Sequence, residues 1–197
     1  MDPSMILAIA VFVFLLVTVA QGVRQVPQGF KWVVQRLGKY SSTLNPGLNF
    51  IIPYIDTVAF KVTTKDIVLD IPSQEVITKD NAVIITNAVA YINIVSPEKA
   101  VYGVENYVIA IQTLVQTSLR SIVGEMNLDD ALSSRDHIKA KLKAAISDDI
   151  ADWGITLKTV EIQDINPSST MQQAMEEQAA AERGPVSYTH LTLPTKA

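Results

Sequence analysis

Every position from Met5 to Ala20 is apolar except Thr18. The run contains Met5, Ile6, Leu7, Ile9, Val11, Phe12, Val13, Phe14, Leu15, Leu16, Val17 and Val19, with alanines between them. No polar face interrupts it, so it lacks the one-sided stripe of a core helix. Extended to Val23 it covers 19 residues, roughly 28 Å of helix at ~1.5 Å per residue. That length matches a hydrocarbon core of about 30 Å. A transmembrane anchor over residues 1–23 is the expectation. A hairpin dipping into one leaflet is a second reading, although no Pro or Gly sits mid-segment to turn the chain. A cleaved signal peptide is a third, although only Asp2 precedes the run and no Ala-x-Ala site ends it.

Past the anchor the pattern shortens to strand-length runs. Phe30–Leu37 is rich in strand formers and stops at Gly38. Asn45-Pro46-Gly47 is a turn signal, because Pro fixes φ and Gly permits a positive value. Leu48–Ile52 and Val58–Val62 read as further strands, separated by Pro53. In Lys65–Ile71 the apolar Ile67, Leu69 and Ile71 alternate with other positions. Val76–Thr78, Lys79-Asp80-Asn81 and Val83–Val95 together predict a hairpin.

The period then lengthens. Ser96-Pro97-Glu98 opens a helix, with Ser as N-cap and Pro in the first turn. After Asn106, a helix carries Val108, Ile111, Val115, Leu119 and Ile122 on one face. Asn127–Leu132 reads as a connecting turn. Ser134 caps a third helix with a stripe of Ile138, Leu142, Ala145, Ile150 and Trp153, and Gly154 falls where a C′ glycine belongs. Ile155–Ile165 is a last strand, and Asn166-Pro167 restarts a helix toward Arg183. Strands followed by amphipathic helices predict an α+β fold of short antiparallel strands and packed helices, held in one domain over residues 24–165. Residues 166–183 then form the start of a C-terminal helix. In it, Met171, Ala174, Met175 and Gln178 form an apolar stripe interrupted by polar residues. A short helix of this kind is marginal alone. It calls for a partner helix or for packing back on its own domain.

The last stretch is set aside. Val186–Leu191 resembles the read-through of a transposon-type sequencing adapter, so residues 184–197 are taken as foreign and the natural chain is expected to continue past Arg183. The alternative is a genuine disordered tail.

Charge and composition narrow the function. The net charge of -4 opposes nucleic-acid binding, which needs a basic face to neutralise phosphates. With no cysteine there is no disulfide, thiolate metal site or thiol nucleophile. His137 is the one histidine before the set-aside tail and reads as a helix-surface residue. Ser118, Ser121, Ser133 and Ser134 lack a nucleophile-elbow context. A Ser–Lys pair using Lys139 or Lys141 is the enzymatic alternative, and nothing in the spacing favours it. Glu125, Asp129 and Asp130 read as helix-end capping. Asp148, Asp149 and Asp152 near Lys141 and Lys143 read as an exposed face with i,i+4-type pairs. Phosphate-binding glycine loops are absent. No cofactor, metal or catalytic residue is expected.

Charge also orients the anchor. Arg24, Lys31, Arg36 and Lys39 follow it closely with no acid among them, so the positive-inside rule puts the body of the chain in the cytoplasm. Arg24, Phe30, Lys31 and Trp32 could then sit at the lipid headgroups, against the reading that Trp32 packs inside the first strand. Leu48, Phe50, Ile51 and Ile52 form a second candidate membrane-facing tip.

At this point a resemblance becomes visible. Val26-Pro-Gln-Gly29, Val34-Gln-Arg-Leu-Gly-Lys39 and Leu44-Asn-Pro-Gly-Leu-Asn-Phe50 with Ile52-Pro53 resemble the opening of an SPFH domain, the band 7 domain of stomatins, prohibitins and flotillins. Gln74–Asn81, Gln116–Ser121, Gly124–Asp129 and Ser134-Arg135 are similar to the stomatin version. Trp153-Gly-Ile155, Val160-Glu-Ile162, Asp164-Ile165 and Met175–Arg183 complete a likeness that covers nearly all of Val23–Arg183. Asn166-Pro167-Ser168 departs from it, standing where relatives often carry two prolines. The resemblance implies a membrane-proximal homo-oligomer of many subunits, continued by a long coiled coil. In the bacterial stomatin-like branch it also implies a scaffold for membrane microdomains, or quality-control work beside a membrane protease or an NfeD-type partner. A secreted binding module released from a cleaved signal is a further alternative.

Overall fold

The computed structural model describes residues 3–182. Arg183 and the set-aside residues 184–197 lie outside them. The elements run α1 (Pro3–Gly22), β1 (Val23–Val26), β2 (Phe30–Arg36), β3 (Lys39–Leu44), β4 (Gly47–Phe50), β5 (Asp56–Thr63), β6 (Ile67–Ile77), β7 (Val83–Ile94), α2 (Pro97–Tyr102), α3 (Tyr107–Gly124), α4 (Leu128–Ser133), α5 (Arg135–Asp152), β8 (Ile155–Pro167) and α6 (Ser169–Glu182). The mixed α+β class expected from the pattern is what forms.

Every sheet pairing is antiparallel. β1 and β4 make a two-stranded ribbon, β3-β2-β5 a first sheet, and β6-β7-β8 a second. β7 is central in its sheet, and its buried residues Ile84, Thr86, Ala88, Ala90, Ile92 and Ile94 alternate along one face, with Val89 buried on the other. The β6–β7 hairpin turns through Asn81 at φ 62°, a left-handed position that Asn tolerates. A register shift between Ile71 and Gln74 absorbs Pro72, which has no N–H to give to a ladder.

The main core lies between the second sheet and the helices. Ile111, Val115, Leu119 and Ile122 of α3 and Ile138, Leu142, Ile146 and Ile150 of α5 pack with Ile71, Ile84 and Ile92 from the strands. Asn106 caps α3, accepting from the N–H groups of Val108 and Ile109 at 3.1 and 3.2 Å. A smaller core of Val26, Val34, Leu44 and Ile51 joins the ribbon to the first sheet.

Several sequence expectations need correction. Asn127–Leu132 is mostly helix, as α4, because Asp129 and Asp130 complement its first turn and Leu128 donates its N–H to Asp80. Ala145 is exposed, and Ile146 takes its place in the α5 stripe. The buried row there climbs in steps of four residues, which brings the larger side chain onto the sheet. Ser96 and Ser134 occupy N-cap positions without a side-chain capping bond. β8 runs on through Asn166 and Pro167 as an edge strand before α6 begins. The expected i,i+4 pairs on α5 are not made. Lys143 donates to the Lys158 carbonyl and Lys139 pairs with Glu161.

Candidate membrane-facing surface

α1 projects from the domain with its apolar side chains exposed, and only Gly22 is buried. A 20-residue helix is roughly 30 Å long, enough to cross a hydrocarbon core. Gly22 is the junction. Its carbonyl accepts the Ile51 N–H at 2.8 Å, and β1 starts at the next residue, setting Val23 against Phe50 and Gln25 against Leu48. A Cβ at Gly22 would lie 2.7 Å from both the Ile51 oxygen and the Phe50 ring. The absence of a side chain there is what lets helix and ribbon meet.

The ribbon places apolar groups beside the foot of this helix. Side chains alternate along a strand, so Leu48, Phe50 and Ile52 face outward, Leu48 with 79% of its surface exposed and Phe50 with 61%. Ile51 does not belong with them. The same alternation turns it inward to the small core, which corrects its place in the expected tip.

Two loop tips extend the patch. Asp56 N–H donates to the Ile52 carbonyl at 2.9 Å, and Leu37 N–H to the Ile55 carbonyl at 3.4 Å. This brings the β2–β3 turn and the Pro53–Ile55 loop to the same rim. Leu37 is 84% exposed and Tyr54 73%. Both hold positive φ, at 50° and 70°. With Gly38 at φ 84°, Leu37 forms a two-residue hairpin turn whose geometry favours Asn-Gly. A leucine there is disfavoured by the backbone, by about 1–2 kcal/mol, and by water as well. The rim of Val23, Leu37, Leu48, Phe50, Ile52 and Tyr54 is therefore apolar where both turn chemistry and solvent ask for something else. The sequence expectation found its β4 portion. Leu37 and Tyr54 were missed because each is a lone apolar residue between polar ones, and a left-handed φ does not show in hydropathy.

An ion pair fixes the rim from behind. Arg36 Nε donates to Asp56 Oδ1 at 2.7 Å and its Nη2 to Oδ2 at 3.1 Å, while the Ile52 N–H donates to Oδ2 at 3.0 Å. The bonds from Arg36, then that from Ile52, hold the Asp56 carboxyl below its ordinary pKa. A lowered folded pKa stabilises the fold at pH above the unfolded value, near 3.9, and the contribution disappears as pH falls through the folded value. Asp80, held low by Thr78 and Leu128, and Glu161, held low by Lys139, add to the same acid limb. Asp56→Asn is expected to lower Tm at pH 7 and to make the fall in Tm between pH 5 and pH 2 shallower. Thermal melts followed by circular dichroism across that range check it.

The other membrane-interface candidates divide. Phe30, Lys31 and Trp32 are half-buried in β2, and the two aromatic rings pack against the small core. Lys61 Nζ stands 4.6 Å over the Trp32 ring and Lys65 Nζ 6.0 Å from the Phe30 ring. Arg24 is exposed on the ribbon, opposite Asn49. Of the proposed helix contacts, Met171 is half-buried against the main core, whereas Ala174 and Met175 are exposed; the side chain of Gln178 lies outside the described residues.

Comparison with known proteins decides the family, because the SPFH domain / Band 7 family matches residues 24–184. The chain belongs to the SPFH domain / Band 7 family. It is 40% identical over 173 residues to a stomatin homolog of Pyrococcus abyssi, covering 88% of this chain and 64% of that protein. It is 40% identical over 158 residues to a stomatin-like protein of Caenorhabditis elegans, covering 80% and 49%. An uncharacterised Methanocaldococcus jannaschii protein is 43% identical over 151 residues, covering 77% and 75%. The chain spans less than half the length, 45%, of the mycobacterial relatives it matches.

Within this SPFH domain, two of the groups named for the enzymatic alternative, Ser133 and Lys139, are engaged elsewhere. His137 is exposed on α5. Ser133 and Ser147 spend their hydroxyls on the carbonyls of Asp129 and Lys143, and the Lys139 ammonium lies against Glu161. Among the described residues no group of three or more His, Asp or Glu side chains is placed to hold a metal ion.

Proposed function

We propose that this stomatin-like chain is a membrane-tethered scaffold whose SPFH domain lies on the bilayer and assembles with copies of itself. One observation carries the reading: the exposed apolar rim is continuous with the foot of the apolar helix. A tethered domain with a water-facing rim gains nothing from Leu37 at a left-handed turn. A domain resting on lipid does, because those side chains then leave water. α6, with Ala174 and Met175 exposed, would continue into the partner helices of an oligomer. The work so performed is steric. A ring of subunits encloses lipid and membrane proteins, organising microdomains or limiting access to a membrane protease, with an NfeD-type protein as a candidate companion. The basic residues after α1 support the reading that the domain lies on the cytoplasmic side, in a bacterial plasma membrane.

The chain has no cysteine, so single cysteines at Leu37 or Phe50 can carry an environment-sensitive fluorophore. In bilayers the probe should shift blue and be quenched by acyl-chain nitroxide lipids at those positions, but not at Ile109, which is exposed on α3, a helix packed against β6 and α5. A water-like spectrum at both rim sites would refute the docking. Leu37→Asn should separate the two roles of that residue. Relief of the backbone penalty should raise Tm by roughly 2–8 °C, while bilayer contact weakens. The scaffold claim is checked by electron microscopy of the natural full-length protein extracted gently from membranes, where monodisperse monomers would count against it.

A further inference from the structure

A recess lies between the first sheet and α2. It has a volume of about 380 Å³ and is lined by Tyr40 of β3, by Glu98, Lys99, Tyr102 and Gly103 at α2, and by Asp152 at the end of α5. Small-molecule sites commonly span about 300–1,000 Å³. The Tyr40 and Tyr102 rings stand 6.1 Å apart with their planes at 69°, and both remain nearly half exposed. Tyr102 is held in place, since Gln35 Nε2 donates to its phenol oxygen at 2.9 Å and Phe60 meets its ring at 5.9 Å and 87°. Glu98 accepts from Thr43 at 3.4 Å. Neither Glu98 nor Asp152 has an ion-pair partner among the described residues.

Electron-rich ring faces with adjacent carboxylates attract a cation. Two carboxylates against the single lysine leave the lining one charge negative, yet Lys99 gives the same rim a place for an anion. An ammonium carried beside a phosphate satisfies both. Tyr40 is three residues from Leu37, at most about 10 Å along the strand at ~3.3 Å per residue. If Leu37 reaches the acyl boundary, the recess lies at headgroup depth. We propose that this recess binds the zwitterionic headgroup of a phospholipid, its alkylammonium between Tyr40, Tyr102, Glu98 and Asp152 and its phosphate toward Lys99. The assignment of a lipid source rests on the membrane-facing reading; the chemistry of the recess does not.

The test uses the full chain in nanodiscs of phosphatidylglycerol, which has no ammonium, with glycerophosphocholine as the soluble probe. Saturation-transfer NMR should detect its N-methyl protons with a Kd on the order of millimolar. Tyr102→Leu and Glu98→Gln should each weaken binding roughly fivefold or more. Lys99→Gln should weaken glycerophosphocholine but not choline. Glu98→Gln changes a surface residue, so it remains informative if Tyr102→Leu disturbs folding. Unchanged affinity in Glu98→Gln, or in a folded Tyr102→Leu, would overturn the site. Choline binding as tightly as glycerophosphocholine, or displacement of the probe by a lysine-rich peptide at lower concentration, would overturn the headgroup assignment. The Leu37 fluorophore fails separately: a water-exposed probe with headgroup binding intact removes the membrane reading and leaves the recess.

Discussion

Gly154→Ala is expected to cost about 2–5 kcal/mol of fold stability. Of this, about 1–2 kcal/mol comes from forcing a Cβ into a left-handed backbone, and about 1–3 kcal/mol from overpacking. Gly154 sits at φ 68°, and an added Cβ would lie 2.7 Å from the Ser96 Cβ and carbonyl oxygen and 2.9 Å from the Lys99 Cβ. The neighbours cannot withdraw freely, because the Val95 and Ser96 N–H groups both donate to the Gly154 carbonyl at 3.0 Å. The same bonds tie the end of β7 and the start of α2 to the α5–β8 turn. Gly38 provides an internal control. It has φ 84° and nothing within 4 Å of its added Cβ. Gly38→Ala should therefore show only the backbone share, about 1–2 kcal/mol. For a domain of this size the Gly154 change corresponds to a fall in Tm on the order of 10 °C. Equal melting temperatures for the two variants would mean that the Gly154 contact is not tight.

What hydropathy could reveal differs from element to element. α1, α3 and the β6–β7 hairpin were legible because burial there follows one clean period: none for α1, 3.6 for α3, and a turn residue between two apolar runs for the hairpin. Gly154 was legible as a helix stop because its role is local. β1 and β3 were not: both are short and mostly exposed, β1 pairs only with the distant β4, and β3, although it follows β2 through a tight turn, opens on the polar run Lys39–Thr43, broken only by Tyr40, with no apolar alternation. The α5 stripe was half right: a row in steps of four and one in steps of 3.6 differ by a single residue, and only the position of β8 chooses Ile146 over Ala145. The surface proposed to meet lipid divides in the same way. Leu48, Phe50 and Ile52 show in a strand pattern, whereas Leu37 and Tyr54 join them only through backbone bonds across the fold. The Tyr40–Tyr102 recess unites residues 62 positions apart, and no local pattern points to it.

The second large effect concerns α1. Its eleven Leu, Ile, Val and Phe side chains, at roughly 0.3–0.6 kcal/mol each, favour insertion by about 3–7 kcal/mol. One arginine at the helix centre costs about 2.5–3.5 kcal/mol on the same scale. Phe12→Arg with Phe14→Arg should therefore reverse the balance, removing two favourable residues and adding about 5–7 kcal/mol of cost. The two positions lie ~200° apart around the helix, so the variant cannot rescue itself as a one-sided amphipathic helix on the surface. Wild-type chain should stay in the membrane pellet through an alkaline carbonate wash and keep its N-terminal segment. The double variant should leave the pellet in that wash. If the rim also binds lipid, the variant should still sediment weakly at low salt and lose that association when Leu37→Asn is added. A wild-type protein recovered free of membranes, with a new N-terminus near Gln21–Gln25, would instead mean that the segment is a removed leader. The tether and every proposal that depends on it would then fail together.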